Sequence, residues 1–253
     1  MGIEGRHILS TRAAESNDEF ESVLISHGAV VECFPTIKIT RVENNVKLDE
    51  ELNRINSYDA LIFTSSNGVK CFFERAKELG AHYGNRIYAV GEKTGLAVKK
   101  FGYVPSFVPE NFSSESLIDE LKPHDIENKK FLFPKGNLSP DYIKNTLGSR
   151  ASVEEVIVYK TICPEYSKQY IDWIKNILCS GGLDCITFFS PSAVHNFYGI
   201  LDGIEIKNTD IAVIGKTTLN KAKEHELKVN ILPEKSTSEN LAKAIVKFYE
   251  KMN

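Results

Sequence analysis

The amino-acid sequence predicts an α/β fold of two similar domains, each a parallel sheet flanked by helices. Three observations lead there. The chain repeats itself at an offset of 124 or 125 residues, each copy alternates short apolar runs with longer segments of helical period, and the loops that follow the apolar runs are rich in hydroxyls and glycine. A length of 253 residues allows one large domain or two of ordinary size, each able to bury a core.

The segment from His7 to Pro35 corresponds to the segment from Lys130 to Val158 in hydrophobic pattern. Asp59-Ala60-Leu61-Ile62-Phe63-Thr64-Ser65-Ser66-Asn67-Gly68-Val69 aligns with Asp184-Cys185-Ile186-Thr187-Phe188-Phe189-Ser190-Pro191-Ser192-Ala193-Val194. Ala89-Val90-Gly91-Glu92-Lys93-Thr94 then aligns with Val213-Ile214-Gly215-Lys216-Thr217-Thr218, with Ile87–Val90 reading as a strand and Thr94–Phe101 as a helix. Pro109-Glu110 with Ser113-Ser114-Glu115-Ser116-Leu117 matches Pro233-Glu234 with Thr237-Ser238-Glu239-Asn240-Leu241. Phe34–Ile39 and Val158–Cys163 hold equivalent places and are rich in Thr, Ile and Val, so they read as extended connectors between the domains. Ile3-Glu4-Gly5-Arg6 reads like a protease-recognition linker, and residues 1–6 are left out of the expected fold.

Composition narrows the function. Hydrophobic residues at 42% and charged residues at 26% suit a soluble globular protein, and no apolar run approaches the ~20 residues of a membrane-spanning helix. A formal net charge of −3 gives no global pull toward phosphate backbones or anionic lipid, and no basic stripe is evident, so neither nucleic acid nor membrane is expected as a partner. Five cysteines without Cys-x-x-Cys or zinc spacing point to reduced thiols and a cytoplasmic location. The six histidines are scattered with no i, i+4 pair, so no metal is expected.

Ligands of open parallel sheets bind beyond the carboxyl ends of the strands. Here those positions carry Thr64 to Gly68 and Ser190 to Ser192, then Gly91 to Thr94 and Gly215 to Thr218, then Ser113/Ser114 and Thr237/Ser238. Each group would open a helix, where unpaired N–H groups and the positive end of the dipole favour an anion. Helix capping selects the same residue types at the same places, so capping is the plainer account of any single loop. Duplication favours the ligand: two facing sets of such loops would line a cleft suited to many carboxylates. The chain has no Gly-x-Gly-x-x-Gly after a strand and no Gly-x-Ser-x-Gly elbow, and Gly215-Lys216-Thr217 has Asp210 where a phosphate-binding loop needs its upstream glycine.

These same segments, in this order and over nearly the whole chain, resemble those of the uroporphyrinogen-III synthases: Thr11-Arg12, Phe63 to Val69, Ala89 to Thr94, Val158-Tyr159-Lys160-Thr161, Phe188 to Ala193 and Ile214 to Thr218. The resemblance implies a two-stranded ladder of residues 35–40 and 159–164. It joins a domain of residues 41–158 to a discontinuous one of residues 7–34 and 165–253. It implies a cofactor-free lyase of tetrapyrrole (haem) biosynthesis, in which hydroxymethylbilane loses water and closes to uroporphyrinogen III with ring D inverted. The substrate's own pyrroles supply the electrons, so the protein's task is to orient a flexible chain bearing eight carboxylates. Tyr159 matches the family's cleft tyrosine, implied to assist departure of the hydroxyl, though it also fits an aromatic packing the ladder. The implied substrate-binding set is Arg12, Thr64, Ser65, Ser66, Asn67, Gly91, Lys93, Thr94, Ser190, Ser192, Ala193, Gly215, Lys216, Thr217 and Thr218. Lys216 stands where the family commonly has proline. A monomer is expected.

Two other classes share parts of this pattern. A two-domain solute-binding protein would also use duplicated α/β lobes but would carry a secretion signal. A nucleotide-sugar transferase would show acidic metal-binding residues at a strand end, and none stands out.

Overall fold

A computed structural model of the chain describes residues 2–13, 18–110, 113–206 and 208–252. In chain order the elements begin with β1 (His7–Ser10), α1 (Asp18–Ser26), β2 (Val30–Cys33), β3 (Lys38–Arg41), α2 (Val46–Asn53), β4 (Ala60–Phe63), α3 (Ser66–Glu78), β5 (Arg86–Ala89) and α4 (Glu92–Lys100). They continue with α5 (Ser114–Glu120), α6 (Pro123–Ile126), β6 (Lys130–Gly136), α7 (Tyr142–Leu147) and β7 (Ser152–Ile162). The last part holds α8 (Lys168–Cys179), β8 (Cys185–Phe188), α9 (Pro191–Ile200), β9 (Asp210–Val213), α10 (Lys216–Glu224), β10 (Val229–Ile231) and α11 (Ser238–Lys251).

Two compact units result. One comprises the chain through Lys38 together with the chain from Ile162 onward; the other is Ile39–Thr161. The crossings thus fall within β3 and β7.

The first unit holds a sheet in the order β10-β9-β8-β1-β2 with every neighbouring pair parallel. A parallel sheet needs both faces covered, and the side chains divide accordingly. Leu9, Ile186 and Phe188 enter a cluster with Ile174, Leu178, Val194 and Phe197 from α8 and α9. Their neighbours Ile8 and Cys185 enter another with Phe20, Leu24, Leu241 and Ile245 from α1 and α11. Ile3 belongs to that second cluster at 3% exposure. Gly5 N–H bonds the Gly28 carbonyl, and the Arg6 carbonyl accepts from Val30 N–H. Residues 3–6 therefore pack within this unit, although the sequence reading left them out of the expected fold: the segment supplies a buried isoleucine and the approach to β1.

The second unit holds the order β3-β7-β6-β4-β5, with β7, β6, β4 and β5 mutually parallel. At its edge Val42 N–H bonds the Val158 carbonyl, and the Thr40 hydroxyl reaches the Lys160 carbonyl. The period of two appears again along β4: Leu61 and Phe63 face a cluster with Val69, Phe72, Phe73 and Val98, while Ala60 and Ile62 face one with Leu117, Ile118, Ile126 and Ile143. In this order the chain runs outward from β4 to β5 and then returns to β6, so the direction of winding reverses between β4 and β6. In open α/β sheets the carboxyl end of that reversal is where a crevice forms. β4 and β6 pair at Ala60↔Phe131 and Leu61↔Leu132, and Pro134 beyond these has no N–H to extend a ladder.

Candidate active site

At that reversal lies a hollow of about 350 Å³ lined by Thr64, Ser65, Ser114, Gly136, Leu138, Ser139, Pro140, Tyr159 and Thr161. Thr64 and Ser65 follow β4, and residues 136–140 end β6 and turn away from it. β7 supplies Tyr159 and Thr161. The pairing of β6 with β7 steps from Lys135↔Ile157 to Gly136↔Tyr159, skipping Val158. This irregularity re-aims the side chains that follow it, a common use of a bulge beside a functional site.

Tyr159 is 9% exposed, its ring packed against the core of this unit and its phenol at the hollow. Its oxygen lies 3.1 Å from Ser65 Oγ. Ser65 is also the N-cap of α3, its Oγ accepting from Gly68 N–H at 3.0 Å. A serine hydroxyl offers one donor and two acceptor sites, so with one acceptor taken Ser65 can still donate to Tyr159. That arrangement leaves the phenol's own O–H to donate to a bound group. The run Gly68 N–H, Ser65 O–H, Tyr159 O–H then points donors in one direction from the positive end of a helix.

Beside the hollow, the buried Lys135 ammonium bonds Asp141 at 2.7 Å and Glu155 at 3.0 Å. Burial disfavours its charge, but these two carboxylates outweigh burial and hold its pKa above the usual lysine value. Asp141 is pulled below the usual carboxylate range by the same bond. The pair ties the two ends of the 136–140 turn.

The structure brings Thr64, Ser65 and Tyr159 together. Ser66 is exposed and Asn67 half-buried in the first turn of α3. Gly91 and Gly215 are the N-caps of α4 and α10, and neither helix has a side-chain cap. Gly91 has φ +90°, which a side chain would resist, whereas a Cβ on Gly215 would come within 2.5 Å of Ser236 Oγ. Lys93, Lys216 and Thr217 are exposed; Thr94 and Thr218 are buried, Thr218 at 1% exposure. In the first unit, Ser190 caps α9 by accepting from Ala193 N–H at 3.1 Å and lies 3.0 Å from Ser192 Oγ. Ala193 is fully buried, and its carbonyl accepts from the Thr36 hydroxyl. Arg12 sets its guanidinium over the Phe189 ring at 5.1 Å. Arg12 and Ser190 follow β1 and β8, the neighbouring strands between which this sheet's winding reverses.

The sequence reading missed Gly136, Ser139 and Thr161. A turn signal was present in Gly136-Asn137-Leu138-Ser139-Pro140, but Pro134 interrupts the apolar run before it. Among the described residues no three His, Cys, Asp or Glu side chains group as metal ligands would, and no helix is long and apolar enough to cross a membrane.

The family model for uroporphyrinogen-III synthase HemD matches residues 18–243. The chain belongs to the uroporphyrinogen-III synthase family. It is 30% identical over 245 residues to the uroporphyrinogen-III synthase of Chlorobaculum parvum, covering 94% of this chain and 97% of that one. Identity to the putative uroporphyrinogen-III synthase of Methanocaldococcus jannaschii is 31% over 244 residues, again 94% and 97% of the two chains. Crystal structures of uroporphyrinogen III synthase from Thermus thermophilus and of uroporphyrinogen-III synthetase from Helicobacter pylori each superpose with a TM-score of 0.65. Identity is 17% and 15%, each covering 98% of this chain and all of the other. At such identity they establish the fold. The family's fold is thus the one in which Tyr159, Ser65 and the strand-end loops are set.

Proposed function

We propose that this chain closes hydroxymethylbilane to uroporphyrinogen III, with loss of water and inversion of ring D, as a step of tetrapyrrole biosynthesis. The observation that carries the reading to a mechanism is the Tyr159 phenol, held against Ser65 at the edge of a hydroxyl-lined hollow where the sheet reverses its winding. Tyr159 donates its proton toward the departing hydroxyl, and the lone pair of the adjacent pyrrole nitrogen drives that departure. The exocyclic methylene of the resulting azafulvene is attacked by the substituted α-carbon of ring D. The spiro adduct then breaks that carbon's bond to its methylene bridge and re-forms it at the other α-carbon, whose proton is lost. Ring D thus inverts on the substrate's own electrons, and the proton given up by Tyr159 is balanced. The protein supplies orientation and a positioned donor, which suits a flexible chain whose ends must meet.

The substrate carboxylates are held by N–H and hydroxyl groups of the strand-end loops in each unit. The two sets are residues 64–67, Gly91, Lys93 and Thr94, and Arg12, Ser190, Ser192, Ala193 and residues 215–218. Ser65 and Ser190 show that a cap spends only one of the orphan N–H groups of its helix, leaving others for a ligand. Gly91 and Gly215 leave their helices without side-chain caps, which favours these turns for anions. The chain is read as a monomer of the cytoplasm; its five unbridged cysteines suit a reducing compartment.

Incubation with enzymatically generated hydroxymethylbilane, followed by oxidation and separation of the porphyrin isomers, tests the proposal. Isomer III should dominate. Isomer I alone, the product of spontaneous closure, would overturn it.

A further inference from the structure

We propose that Gly136 and Asn137 are positioning residues for Tyr159, a proposal that rests on the catalytic reading of Tyr159 above. Gly136 is buried at the end of β6, directly opposite Tyr159 in the register. A Cβ built on it would stand 2.5 Å from Tyr159 Cζ and 2.7 Å from both Cε2 and the phenol oxygen. Carbon atoms are not found so close, and the atoms in the way belong to a planar ring buried in the core, not to the free end of a flexible chain. The backbone of Gly136 is not in the left-handed region, so its conformation does not demand glycine. The demand comes from the ring laid across it.

Asn137 holds the same edge of β7 one step further along. Its N–H donates to the Tyr159 carbonyl at 3.2 Å. Its Oδ1 accepts from Thr161 N–H at 2.8 Å and its Nδ2 donates to the Thr161 carbonyl at 3.4 Å. The side chain of Asn137 thus replaces the strand partner that β7 loses where β6 ends. Gly136 is held in turn by Ser139, whose hydroxyl accepts from Gly136 N–H and whose N–H donates to the Gly136 carbonyl. Together the two residues hold one end of β7 at a fixed distance and clear the floor beneath its ring, so the phenol meets Ser65 and not the turn.

The consequence is kinetic. A misplacement of about 1 Å in a positioned group can cost about 10²-fold in rate. Gly136→Ala should lower kcat by about 10-fold to 100-fold with KM within about twofold of the parent. Asn137→Ala should lower kcat less, about 3-fold to 10-fold, and speed amide exchange at Thr161; Asn137→Asp, which keeps the Oδ1 acceptor but turns the donor facing the Thr161 carbonyl into a second acceptor, should not recover it.

A cycle with Tyr159→Ala separates positioning from general damage. With the ring removed the added methyl at 136 has room, so Gly136→Ala should lower Tm in the parent and leave it unchanged in Tyr159→Ala. An equal drop in Tm in both backgrounds, or a kcat untouched by Gly136→Ala, would overturn the proposal. Should Gly136→Ala fail to fold in the parent but fold in Tyr159→Ala, the predicted clash is confirmed by that rescue; failure in both overturns it. Full turnover by Tyr159→Ala would instead sink the catalytic reading of Tyr159, while the Tm cycle still reports whether Gly136 makes room for its ring.

Discussion

Ser65→Ala separates capping from catalysis at one atom. Ser65 Oγ accepts from Gly68 N–H at 3.0 Å and lies 3.1 Å from the Tyr159 oxygen, so the substitution removes two hydrogen bonds at once. Loss of the cap costs about 1 kcal/mol. Loss of the hydroxyl pair, with Tyr159 nearly buried, costs about 1 kcal/mol more, giving about 2 kcal/mol in all. Ser167 provides the comparison, because it caps α8 by accepting from Tyr170 N–H at 3.3 Å in an exposed setting with no part in the proposed chemistry. Urea unfolding should show Ser167→Ala losing about 1 kcal/mol and Ser65→Ala about 2 kcal/mol. Steady-state formation of uroporphyrinogen III should fall about tenfold in kcat for Ser65→Ala and stay at the parent value for Ser167→Ala, with Ser65→Thr recovering most of the loss. If Ser65→Ala lost only the stability of a cap and kept its kcat, the coupling of Ser65 to Tyr159 would be refuted.

Other substitutions probe the remaining assignments. Tyr159→Phe keeps the packed ring but removes the donor, so circular dichroism should match the parent and stability should fall only by the lost Ser65 bond, about 1 kcal/mol, while kcat falls about 10²-fold; unchanged kcat would remove Tyr159 from the mechanism. Thr217→Ala alters an exposed residue in the uncapped first turn of α10, so product affinity measured by fluorescence titration should weaken at unchanged Tm. Affinity equal to the parent would leave Thr217 without a binding role. Glu51 tests pH dependence in the second unit: bonds from Arg54 hold its carboxyl below the usual range, burial opposes them, and the Tyr58 hydroxyl adds to them. A carboxylate whose pKa is lower folded than unfolded contributes stability above its unfolded value of about 4.3 and loses it as pH falls through the folded value. Glu51→Gln should therefore be less stable than the parent at pH 7, and the gap should close on acidification below about pH 4. A gap that persisted at low pH would assign the effect to packing.

The sheet architecture was legible because duplication exposes the strand-end loops and because apolar runs such as Ala60–Phe63 and Cys185–Phe188 are buried on both faces. Capping was legible for the same reason: Ser65, Ser113, Ser190 and Thr237 all accept from the N–H three residues on. The tag-like Ile3-Glu4-Gly5-Arg6 misled, since burial of Ile3 depends on partners in α1 and α11 that local sequence does not display. Gly136 stayed hidden because its role is defined by a ring 23 residues away that a register irregularity delivers. Asn137 and Thr161 meet only once β6 and β7 pair. Buried Thr94 and Thr218 look identical in sequence to exposed Thr217, because hydroxyl chemistry at a helix start does not reveal which side of the turn faces solvent.

The most direct test of this account is a crystal structure with uroporphyrinogen III bound. The account predicts carboxylates within hydrogen-bond distance, about 3 Å, of N–H groups in the first turns that follow Gly91 and Gly215, with the Tyr159 phenol pointing at the macrocycle. Product bound at the opposite, amino-terminal ends of the strands, with Tyr159 and both turns untouched, would contradict it.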